Sequence, residues 1–455
     1  MNLTLSLSAI CEVICADKKL FGEISYVTTD SRDIRPNCLF VALRGEKFDG
    51  HDYINAALTQ GAACAIADKT GDYSMDRVLL VGNTEGALRR IAALYRAALP
   101  TKIVAITGSV GKTGTRDMTA AVLAAKYNTT KTQGNLNNQI GVPQTVLGIE
   151  STHEAAVVEM GMSGMGEIEE ISLCAGPDIA VITNVGVTHI ELLGSREAIF
   201  KAKTEITAGL AQGAPLILNG DNDFLSTYKN PRVNIMLFGI DNPACDVRGE
   251  NIKTCGDSTE FTVIYAEKCY KTKIPTLGKH NVLNALAGFA AGVAAGVEPA
   301  AAAEALASYT PTGMRQKLVE FKGATIVEDC YNASPDSLNA ALNTLHEMPC
   351  KGRRIMVYSD MLELGELANE AHRKTGALMG ELGVDILYAV GELAKLTVEE
   401  AKKSGVGEVL HFKNKECLAE QLVKTASEGD VIWFKASRGM KLEEVLKRFY
   451  EEWKK

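Results

Sequence analysis

The sequence of 455 residues has few aromatic residues, no excess of positive charge and no CxxC cysteine pair. Aromatic residues make up 6% of the chain, and 48 Lys and Arg against 56 Asp and Glu give a net charge of −8. A negative chain has no general attraction for nucleic acid or for anionic membranes, so we expect neither as a partner. Any polyanionic ligand must be held by a local site.

Disulfide chemistry and membrane insertion are also not expected. The eleven cysteines are odd in number and scattered, which is typical of a reducing cytosol. No basic residue precedes the first apolar run, which contains Glu12, so we expect no signal peptide. The small-apolar run 285–297 stops short of the ~20 residues that a membrane span needs. We therefore expect a cytoplasmic protein.

The chain does contain short apolar segments that alternate with amphipathic helical segments. This alternation predicts an α/β fold of parallel sheets covered by helices, and the length predicts two or three domains. Pro100 precedes a long apolar segment, and a Pro- and Gly-containing segment at 309–313 precedes a new run of strands. The predicted domains are 1–99, 100–310 with a mostly parallel sheet, and 311–455 with a Rossmann-like, doubly wound sheet. The strands predicted in the last domain are 325–328, 354–358, 386–390 and 431–434.

A glycine-rich turn lies between the apolar segment 103–106 and a helical segment that runs to about Lys126. In this order, backbone N–H groups can surround an anion at the positive end of a helix, a lysine adds charge and a hydroxyl can ligate Mg²⁺. Ile106 stands where the full Walker pattern has glycine, so the match is to a shorter GxxGKT form; an ordinary βα turn is the alternative. The residues expected to bind nucleotide phosphates are Thr107, Gly108, Ser109, Val110, Gly111, Lys112 and Thr113.

Three further residues have local sequences that leave their roles open. Glu159 ends an apolar run and is either a second Mg²⁺ anchor or a strand-end carboxylate in solvent. His189 follows the strand-like run 179–183, and an isolated histidine is more often structural than a ligand. Lys203 lies in a helical segment and would by default be a solvated cation.

Six motifs occur in the order seen in the Mur ligase family, namely TGSVGKT, GNLNNQIGVP, VVEMG, NVGVTHIELLGS, AKTEI and GKHNVLNALAG. Over nearly its whole length the sequence therefore resembles these ATP-dependent, amide-forming enzymes of peptidoglycan precursor synthesis. DCYNASPDS and SDMLELGE resemble motifs of the member that joins D-Ala-D-Ala to UDP-N-acetylmuramoyl-tripeptide through an acyl phosphate. The DNPR motif, usual in the ligase that adds the third peptide residue, does not occur.

The resemblance implies a catalytic role for four residues. Lys112 would contact the β- and γ-phosphates of ATP, Thr113 and Glu159 would ligate one Mg²⁺, and His189 a second. Lys203 matches a lysine that reacts with CO₂, so that its carbamate would act as a carboxylate-like bridge at the metal site. The residues implied near adenine, the γ-phosphate or the ribose are Asn281, Asn284, Arg315 and Asp329.

Two substrate sites are implied outside the phosphate loop. TTDSR, LFVALRG and DGHDY look like the family's uridine-diphosphate pocket, although a turn with a surface arginine explains the same residues. KASR resembles KGSR, which is expected near the incoming D-Ala-D-Ala and implies a site of Lys435, Ser437 and Arg438. The residues implied for uridine diphosphate are Ser31, Arg32, Gly45, Asp49, Gly50 and His51.

Four residues depart from the family pattern, namely Gly114, Cys330, Ser359 and Ala436. Gly114 costs roughly 1 kcal/mol of helix propensity, which would loosen the phosphate loop, and Ala436 puts a methyl group where backbone approaches substrate. Two other functions stay open. One is a related ligase of the muramoyl-dipeptide or polyglutamate type, and the other is a regulatory P-loop ATPase. We expect a monomer that acts on small molecules.

Overall fold

The computed structural model describes residues 4–454, and strands and helices alternate through most of this range. The strands form three large sheets and one two-stranded ribbon. Helices cover the sheets, which confirms the predicted α/β class. Among the residues described, no helix combines the length and apolar character needed to cross a bilayer.

The N-terminal part contains a ribbon and a small sheet. Its elements are β1 (Leu5–Ser6), α1 (Leu7–Val13), β2 (Glu23–Ile24), β3 (Tyr26–Thr28), β4 (Cys38–Val41), α2 (Ile54–Thr59), β5 (Cys64–Ala67), β6 (Val78–Leu80) and α3 (Thr84–Ala97). β1 and β2 pair antiparallel, and the sheet has the order β3-β4-β5-β6 with all pairs parallel.

The central part contains a nine-stranded sheet. Its elements are β7 (Lys102–Thr107), α4 (Lys112–Ala124), β8 (Thr129–Lys131), α5 (Gly141–Leu147), β9 (Ala155–Glu159), α6 (Glu167–Ala175), β10 (Ile179–Ile182), α7 (Ile190–Leu193), α8 (Arg196–Thr204), β11 (Pro215–Asn219), β12 (Asn234–Gly239), β13 (Val247–Cys255), β14 (Ser258–Tyr265), β15 (Lys268–Ile274), α9 (Lys279–Ala294) and α10 (Pro299–Ala305). The order is β15-β14-β13-β12-β11-β10-β7-β9-β8, parallel from β8 to β13. β13, β14 and β15 pair antiparallel, so the sheet is mostly parallel.

The C-terminal part contains a six-stranded sheet. Its elements are β16 (Lys317–Phe321), β17 (Ala324–Asp329), α11 (Pro335–Glu347), β18 (Arg354–Ser359), α12 (Ala368–Glu381), β19 (Ile386–Val390), α13 (Ala394–Lys403), β20 (Glu408–Phe412), α14 (Lys415–Thr425), β21 (Val431–Lys435) and α15 (Glu443–Trp453). The order is β16-β17-β21-β18-β19-β20. The four predicted strands correspond to β17, β18, β19 and β21, whereas the prediction omits both edge strands and the helices α13 and α14.

The hydrophobic core does not break at residue 99. Strand β7 has apolar residues at consecutive positions because helices cover both faces of its sheet. Val104 and Ile106 face the core formed with α4 and α9, whereas Ile103 and Ala105 face a core that also includes Ile91 of α3. The helix α3 also packs on α5 and α6. The N-terminal part is therefore joined to the central part by shared apolar packing.

We expect Ile91→Ala to destabilise the N-terminal and central parts together. Ile91 has 0% exposure, and removing such a side chain costs about 2–5 kcal/mol. Pulse proteolysis in urea, with the cleavage sites identified by mass spectrometry, measures the effect in each part. The control Leu173→Ala, at an exposed position of α6, should change stability by less than about 0.5 kcal/mol. Cleavage that increases only within residues 4–99 would contradict the shared core.

Candidate functional site

A cavity of about 630 Å³ opens at the carboxyl ends of the central parallel strands, between the central and C-terminal parts. Its wall brings together residues that the sequence predicts for nucleotide, metal and acceptor binding. Those that line it are Ser109, Val110, Gly111, Lys112, Thr113, Glu159, His189, Asn281, Asn284, Arg315, Asp329, Lys435 and Arg438. Thr107, Gly108, Lys203, Ser437 and the six residues predicted for uridine diphosphate are not part of that wall.

The phosphate loop is held by Asn184, which follows β10. The backbone N–H of Val110 donates to Asn184 Oδ1 at 2.9 Å, and the N–H of Ser109 donates to the Asn184 carbonyl at 3.2 Å. The hydroxyl of Thr183 donates to the Val110 carbonyl at 2.6 Å. Two of the predicted loop donors are thus already used within the protein.

Two glycines give the loop its shape. Gly108 has φ +151°, and a Cβ there would lie 1.8 Å from the hydroxyl oxygen of Thr183. Gly111 has φ +83°, a left-handed conformation that glycine adopts without strain, and leads directly into α4. The first N–H groups of α4 have no intrahelical acceptor and carry the positive end of the helix dipole. They are the loop donors that remain for a phosphate.

Lys112 bends back over this loop. Its Nζ donates to the Gly108 carbonyl at 2.7 Å. Burial lowers the pKa of Lys112, Glu159 raises it and Arg315 lowers it further. A bound phosphate would act in the same direction as Glu159 and favour the charged ammonium.

Glu159 ends β9 and is 2% exposed, so the alternative of a carboxylate in solvent is wrong. Its Oε2 accepts a hydrogen bond from the Thr113 hydroxyl at 3.0 Å and another from Arg116 Nη1 at 3.2 Å. Its Oε1 accepts from Asn137 Nδ2 at 2.9 Å. A hydroxyl beside a carboxylate is a donor set of hard oxygens that suits Mg²⁺.

Lys203 is buried in α8 at 1% exposure, so the interpretation as a solvated cation is wrong. Burial lowers its pKa well below the usual value, and the nearby charge of Lys112 lowers it further. Among residues 4–454, no carboxylate forms an ion pair with Lys203. The environment therefore favours a neutral amine.

His189 lies between β10 and α7 in the left-handed conformation, with φ +66°. Its Nδ1 is 2.9 Å from Oε2 of Glu363, which belongs to the C-terminal part. Burial lowers the pKa of His189; Glu363 raises it, and Lys112 and Lys203 lower it. These influences place His189 in the same electrostatic environment as the two lysines. The described residues contain no group of three His, Cys, Asp or Glu side chains that could hold a metal ion without other ligands.

Asn281 and Asn284 lie on α9 and connect the loop helix to the C-terminal part. Asn284 accepts from the Thr115 hydroxyl at 3.1 Å and donates to Asn281 Oδ1 at 3.2 Å. The amide of Asn281 donates to Gln316 Oε1 at 2.7 Å, so protein groups already use it. A Cβ at Gly114 would lie 2.9 Å from Asn284 Nδ2. Glycine at position 114 therefore allows Asn284 to pack against α4. Contact of Asn281 and Asn284 with adenine stays a prediction.

Lys435 and Asp329 form a buried ion pair of 2.8 Å across the registered strands β21 and β17. The indole N–H of Trp433 also approaches Asp329 at 3.3 Å. The prediction assigned Lys435 and Asp329 to different ligands, whereas the structure places them in direct contact. Any ligand that uses one of them therefore affects the other.

Arg315 and Arg438 lie on the face of Tyr331, at 3.9 and 5.7 Å from the ring centroid. Arg438 is half-exposed and pairs with Glu443 at 3.1 Å. Ser437 is buried, and its hydroxyl accepts from the Leu362 N–H at 3.0 Å. Arg438 is therefore the member of the KASR motif that is open to a ligand.

The methyl group of Ala436 has 0% exposure and packs in the C-terminal core. The expected conflict between this methyl group and substrate is therefore wrong. Cys330 is also buried in that core, where its Sγ is 3.5 Å from Met314 Sδ. Ser359 donates to the Val390 carbonyl at the end of the neighbouring strand β19. Ala436, Cys330 and Ser359 are therefore accommodated as buried residues of the C-terminal part.

The residues predicted for uridine diphosphate lie in the N-terminal part, away from the cavity wall. Arg32 is exposed and pairs with Asp30 at 2.7 Å, while Ser31 beside it is partly buried and Gly45 is exposed. A Cβ at Gly50 would lie 2.7 Å from the Leu43 carbonyl oxygen, so close packing requires glycine there. The structure therefore offers Arg32 as an accessible cation of this region.

His51 and Asp49 stabilise the same loop. The Asp49 carboxylate accepts from the His51 N–H at 3.0 Å and from Lys69 Nζ at 2.7 Å, and the hydrogen bond with Lys69 lowers the Asp49 pKa most. His51 is buried, with Nδ1 2.5 Å from Asp49 and Nε2 accepting from the Asp68 N–H at 3.2 Å. Both ring nitrogens are used within the protein, which disagrees with a direct contact between His51 and uridine diphosphate.

Several residues at the site were not predicted individually. Asn137 lies in the motif GNLNNQIGVP, and Asn184 begins the motif NVGVTHIELLGS. These motifs are the signal in the sequence that could have identified both residues. Glu363 also lies in a motif. Arg116 lies next to Asp117 in a helix, and no local sequence pattern marks it as part of the site.

Comparisons with known proteins agree with these features. Residues 106–292 match the Mur ligase middle domain, residues 314–438 the Mur ligase glutamate ligase domain, and residues 23–96 the Mur ligase family catalytic domain. The UDP-N-acetylmuramoyl-tripeptide--D-alanyl-D-alanine ligase of Bacillus subtilis (strain 168) is 40% identical over 429 residues, 93% of each chain.

Solved structures show the same three-part fold. MurF from Acinetobacter baumannii superimposes with a TM-score of 0.90 at 28% identity over 99% of each chain. MurF ligase from Thermotoga maritima in complex with ADP gives a TM-score of 0.86 at 29% identity, over 94% of this chain and 98% of that one. The chain belongs to the Mur ligase family.

Proposed function

We propose that this chain is the ATP-dependent ligase that joins D-Ala-D-Ala to UDP-N-acetylmuramoyl-tripeptide in peptidoglycan precursor synthesis. The terminal carboxylate of the tripeptide attacks the γ-phosphorus of ATP, and ADP leaves. The amine of the dipeptide then attacks the carbonyl carbon of the acyl phosphate, loses a proton and expels phosphate. The products are the UDP-N-acetylmuramoyl-pentapeptide, ADP and phosphate.

One observation carries this proposal: the phosphate loop and the basic residues of the C-terminal part line the same cavity. Lys112 and Thr113 lie on its central wall, and Arg315 and Arg438 lie on its C-terminal wall. An acyl phosphate formed at the loop would meet an amine without leaving this space. Closure of the two parts around this cavity would limit the access of water to a hydrolysable intermediate.

Charge neutralisation is the first task of the site, because two anions must meet. Lys112 places its ammonium beside the loop that cradles the phosphates. Thr113 and Glu159 fit one Mg²⁺, and we propose His189 and a carbamate on Lys203 for a second. Bound Mg²⁺ would stabilise negative charge on the transferred phosphoryl group. Catalysis by the chain itself is then mainly positioning and electrostatic stabilisation.

Carbamylation of Lys203 follows from its surroundings. Only a neutral amine reacts with CO₂, and burial, together with the nearby charge of Lys112, holds the Lys203 pKa well below its usual value. The product is an anion, which would attract the nearby ammonium of Lys112, whereas a protonated Lys203 would repel it. We therefore propose that Lys203 supplies a carboxylate-like group at the metal site.

The remaining assignments belong to the same proposal. Residues 1–99 would hold uridine diphosphate, residues 100–310 ATP, and residues 311–455 the acceptor with part of the ATP contacts. Asn281, Asn284 and Asp329 would contribute to nucleotide binding, and Lys435 and Arg438 to acceptor binding. All eleven cysteines are free thiols, which fits a cytoplasmic reaction that uses ATP. We propose that the enzyme acts as a monomer.

The direct test is mass spectrometry of the product formed from ATP, UDP-N-acetylmuramoyl-tripeptide and D-Ala-D-Ala. We expect a pentapeptide product, with phosphate release only when both the tripeptide and the dipeptide are present. Lys112→Ala should abolish turnover while the folded state persists, because one loop lysine contributes little to stability. Phosphate release without either peptide would instead favour a P-loop ATPase without ligase chemistry.

We expect Lys203→Ala to be inactive and to regain part of its activity with small carboxylates. The added anion would occupy the space of the missing carbamate. Activity of the wild type should fall when bicarbonate and CO₂ are removed, and recover when bicarbonate is returned. The control Lys201→Ala changes a lysine of the same helix that is exposed. Full activity of Lys203→Ala in CO₂-free buffer would refute the carbamate.

We expect Arg438→Ala to raise the KM for D-Ala-D-Ala by about 10- to 100-fold, the range for a lost hydrogen bond between charged groups of about 1.5–3 kcal/mol. The KM for ATP should change much less. Arg438→Lys should recover part of the effect, because lysine keeps the charge but not the forked geometry. Equal increases in both KM values would place the dipeptide carboxylate elsewhere.

A further inference from the structure

We propose that Arg116 is a positioning residue that fixes the Glu159 carboxylate for the metal ion and ties it to the segment that joins the central and C-terminal parts. The inference rests on the proposed function, because it takes Thr113 and Glu159 as the residues that hold Mg²⁺ with the nucleotide. Arg116 lies one helical turn after Lys112 on α4 and is 3% exposed.

The Glu159 carboxylate is held in one orientation by hydrogen bonds to both of its oxygens. Asn137 Nδ2 donates to Oε1 at 2.9 Å, and Arg116 Nη1 donates to Oε2 at 3.2 Å. A donor on each oxygen fixes the plane of the carboxylate. The Thr113 hydroxyl reaches the same Oε2 at 3.0 Å, so the two oxygens proposed to hold the metal ion are already adjacent. Partners of this kind orient metal ligands and tune their affinity.

The guanidinium group of Arg116 also donates to groups other than Glu159. Arg116 Nε donates to Asp117 Oδ1 at 2.8 Å, and Nη1 donates to the Gly134 carbonyl at 3.0 Å. Nη2 is 3.4 Å from Oγ1 of Thr312, whose hydroxyl donates to Asp117. Thr312 belongs to the segment 309–313 that precedes the C-terminal sheet. The guanidinium group of Arg116 thus contacts both the Glu159 carboxylate and the segment 309–313.

Charge balance supports a specific role for Arg116. Arg116, Asp117 and Glu159 are each 2–3% exposed. Lys131, which is partly buried, pairs with Asp117 at 2.9 Å. Loss of Arg116 would leave two buried carboxylates with one lysine, and burying an unpaired charge is costly. A second cavity, of about 430 Å³, borders Asp117, Lys131 and Thr312. Beside this second cavity, Thr312 is held by its hydrogen bonds with Asp117 and Arg116.

The test measures how much Mg²⁺ is needed for half-maximal ADP binding, by calorimetry with the full chain. We expect Arg116→Met to raise this concentration by about 10- to 100-fold, the effect of removing a residue that orients a metal ligand. Arg116→Lys should show a smaller increase, because the charge is kept but the fork is lost. Arg373→Met, at a partly exposed arginine of α12 paired with Glu399, is the matched control and should behave as the wild type.

A second variant tests the interdomain segment. Thr312→Val removes the hydroxyl but leaves the contact between Arg116 and Glu159. We expect kcat to fall about three- to tenfold, in the range of one lost hydrogen bond, while the Mg²⁺ requirement for ADP binding stays within about twofold of wild type. An unchanged kcat would overturn the link to the interdomain segment.

The outcomes separate this inference from the proposed function. If the wild type binds ADP without any dependence on Mg²⁺, the proposed metal site itself is wrong. If the wild type depends on Mg²⁺ and both Arg116 variants match it, the positioning role of Arg116 is overturned. Should Arg116→Met fail to fold by circular dichroism, Arg116→Lys decides the result, and an unchanged Mg²⁺ requirement in that variant refutes the inference.

Discussion

The buried charges at the carboxyl edge of the central sheet are the constraint on which the rest of the site depends. A charge removed from water needs an opposite charge or several hydrogen bonds. Glu159 has Arg116, Thr113 and Asn137 as partners, and the network is closed by protein groups. Within residues 4–454 no carboxylate pairs with Lys203, and burial and the charge of Lys112 lower its pKa. The site therefore has fewer negative than positive partners for its lysines. Bound phosphates and a carbamate on Lys203 would supply the missing negative charge.

Parallel pairing of β9, β7 and β10 explains why the motifs meet. In register, Ile106 is opposite Glu159, and Thr107 is opposite Ile182. The phosphate loop, the carboxylate and the NVGVTH segment therefore leave the sheet at the same edge. Parallel strands end their βα loops on one side, so the sequence can predict that such motifs converge. The resemblance to a family added the roles of Asn281, Arg315 and Asp329, which local patterns do not show.

The parts that could not be predicted depend on partners distant in sequence. Arg116 contacts Glu159 across 43 positions and Thr312 across 196, and nothing near Arg116 shows either contact. The edge strand β20, Glu408–Phe412, has one buried residue, whereas β19 and β21 are buried at every position, so β20 lacks the continuous apolar run of those strands. His51 and Ser437 look like ligand-binding residues within their motifs, yet both are used to hold loops. In each case tertiary packing determined the role.

The C-terminal part approaches the nucleotide site through a few polar contacts. Gln316 accepts from Asn281, Glu363 lies beside His189, and Asp336 accepts from the N–H of Val187 at 3.3 Å. Burial raises the pKa of Asp336. Single hydrogen bonds contribute about 0.5–1.5 kcal/mol each, so such an interface can open for substrates and close around them. The N-terminal and central parts are joined both by their shared apolar core and by polar contacts, including the ion pairs of Arg89 with Glu170 and of Arg96 with Asp178. In the 309–313 segment, Thr312 contacts Arg116 and Asp117, so the start of the C-terminal part is linked through Arg116 to the Glu159 carboxylate.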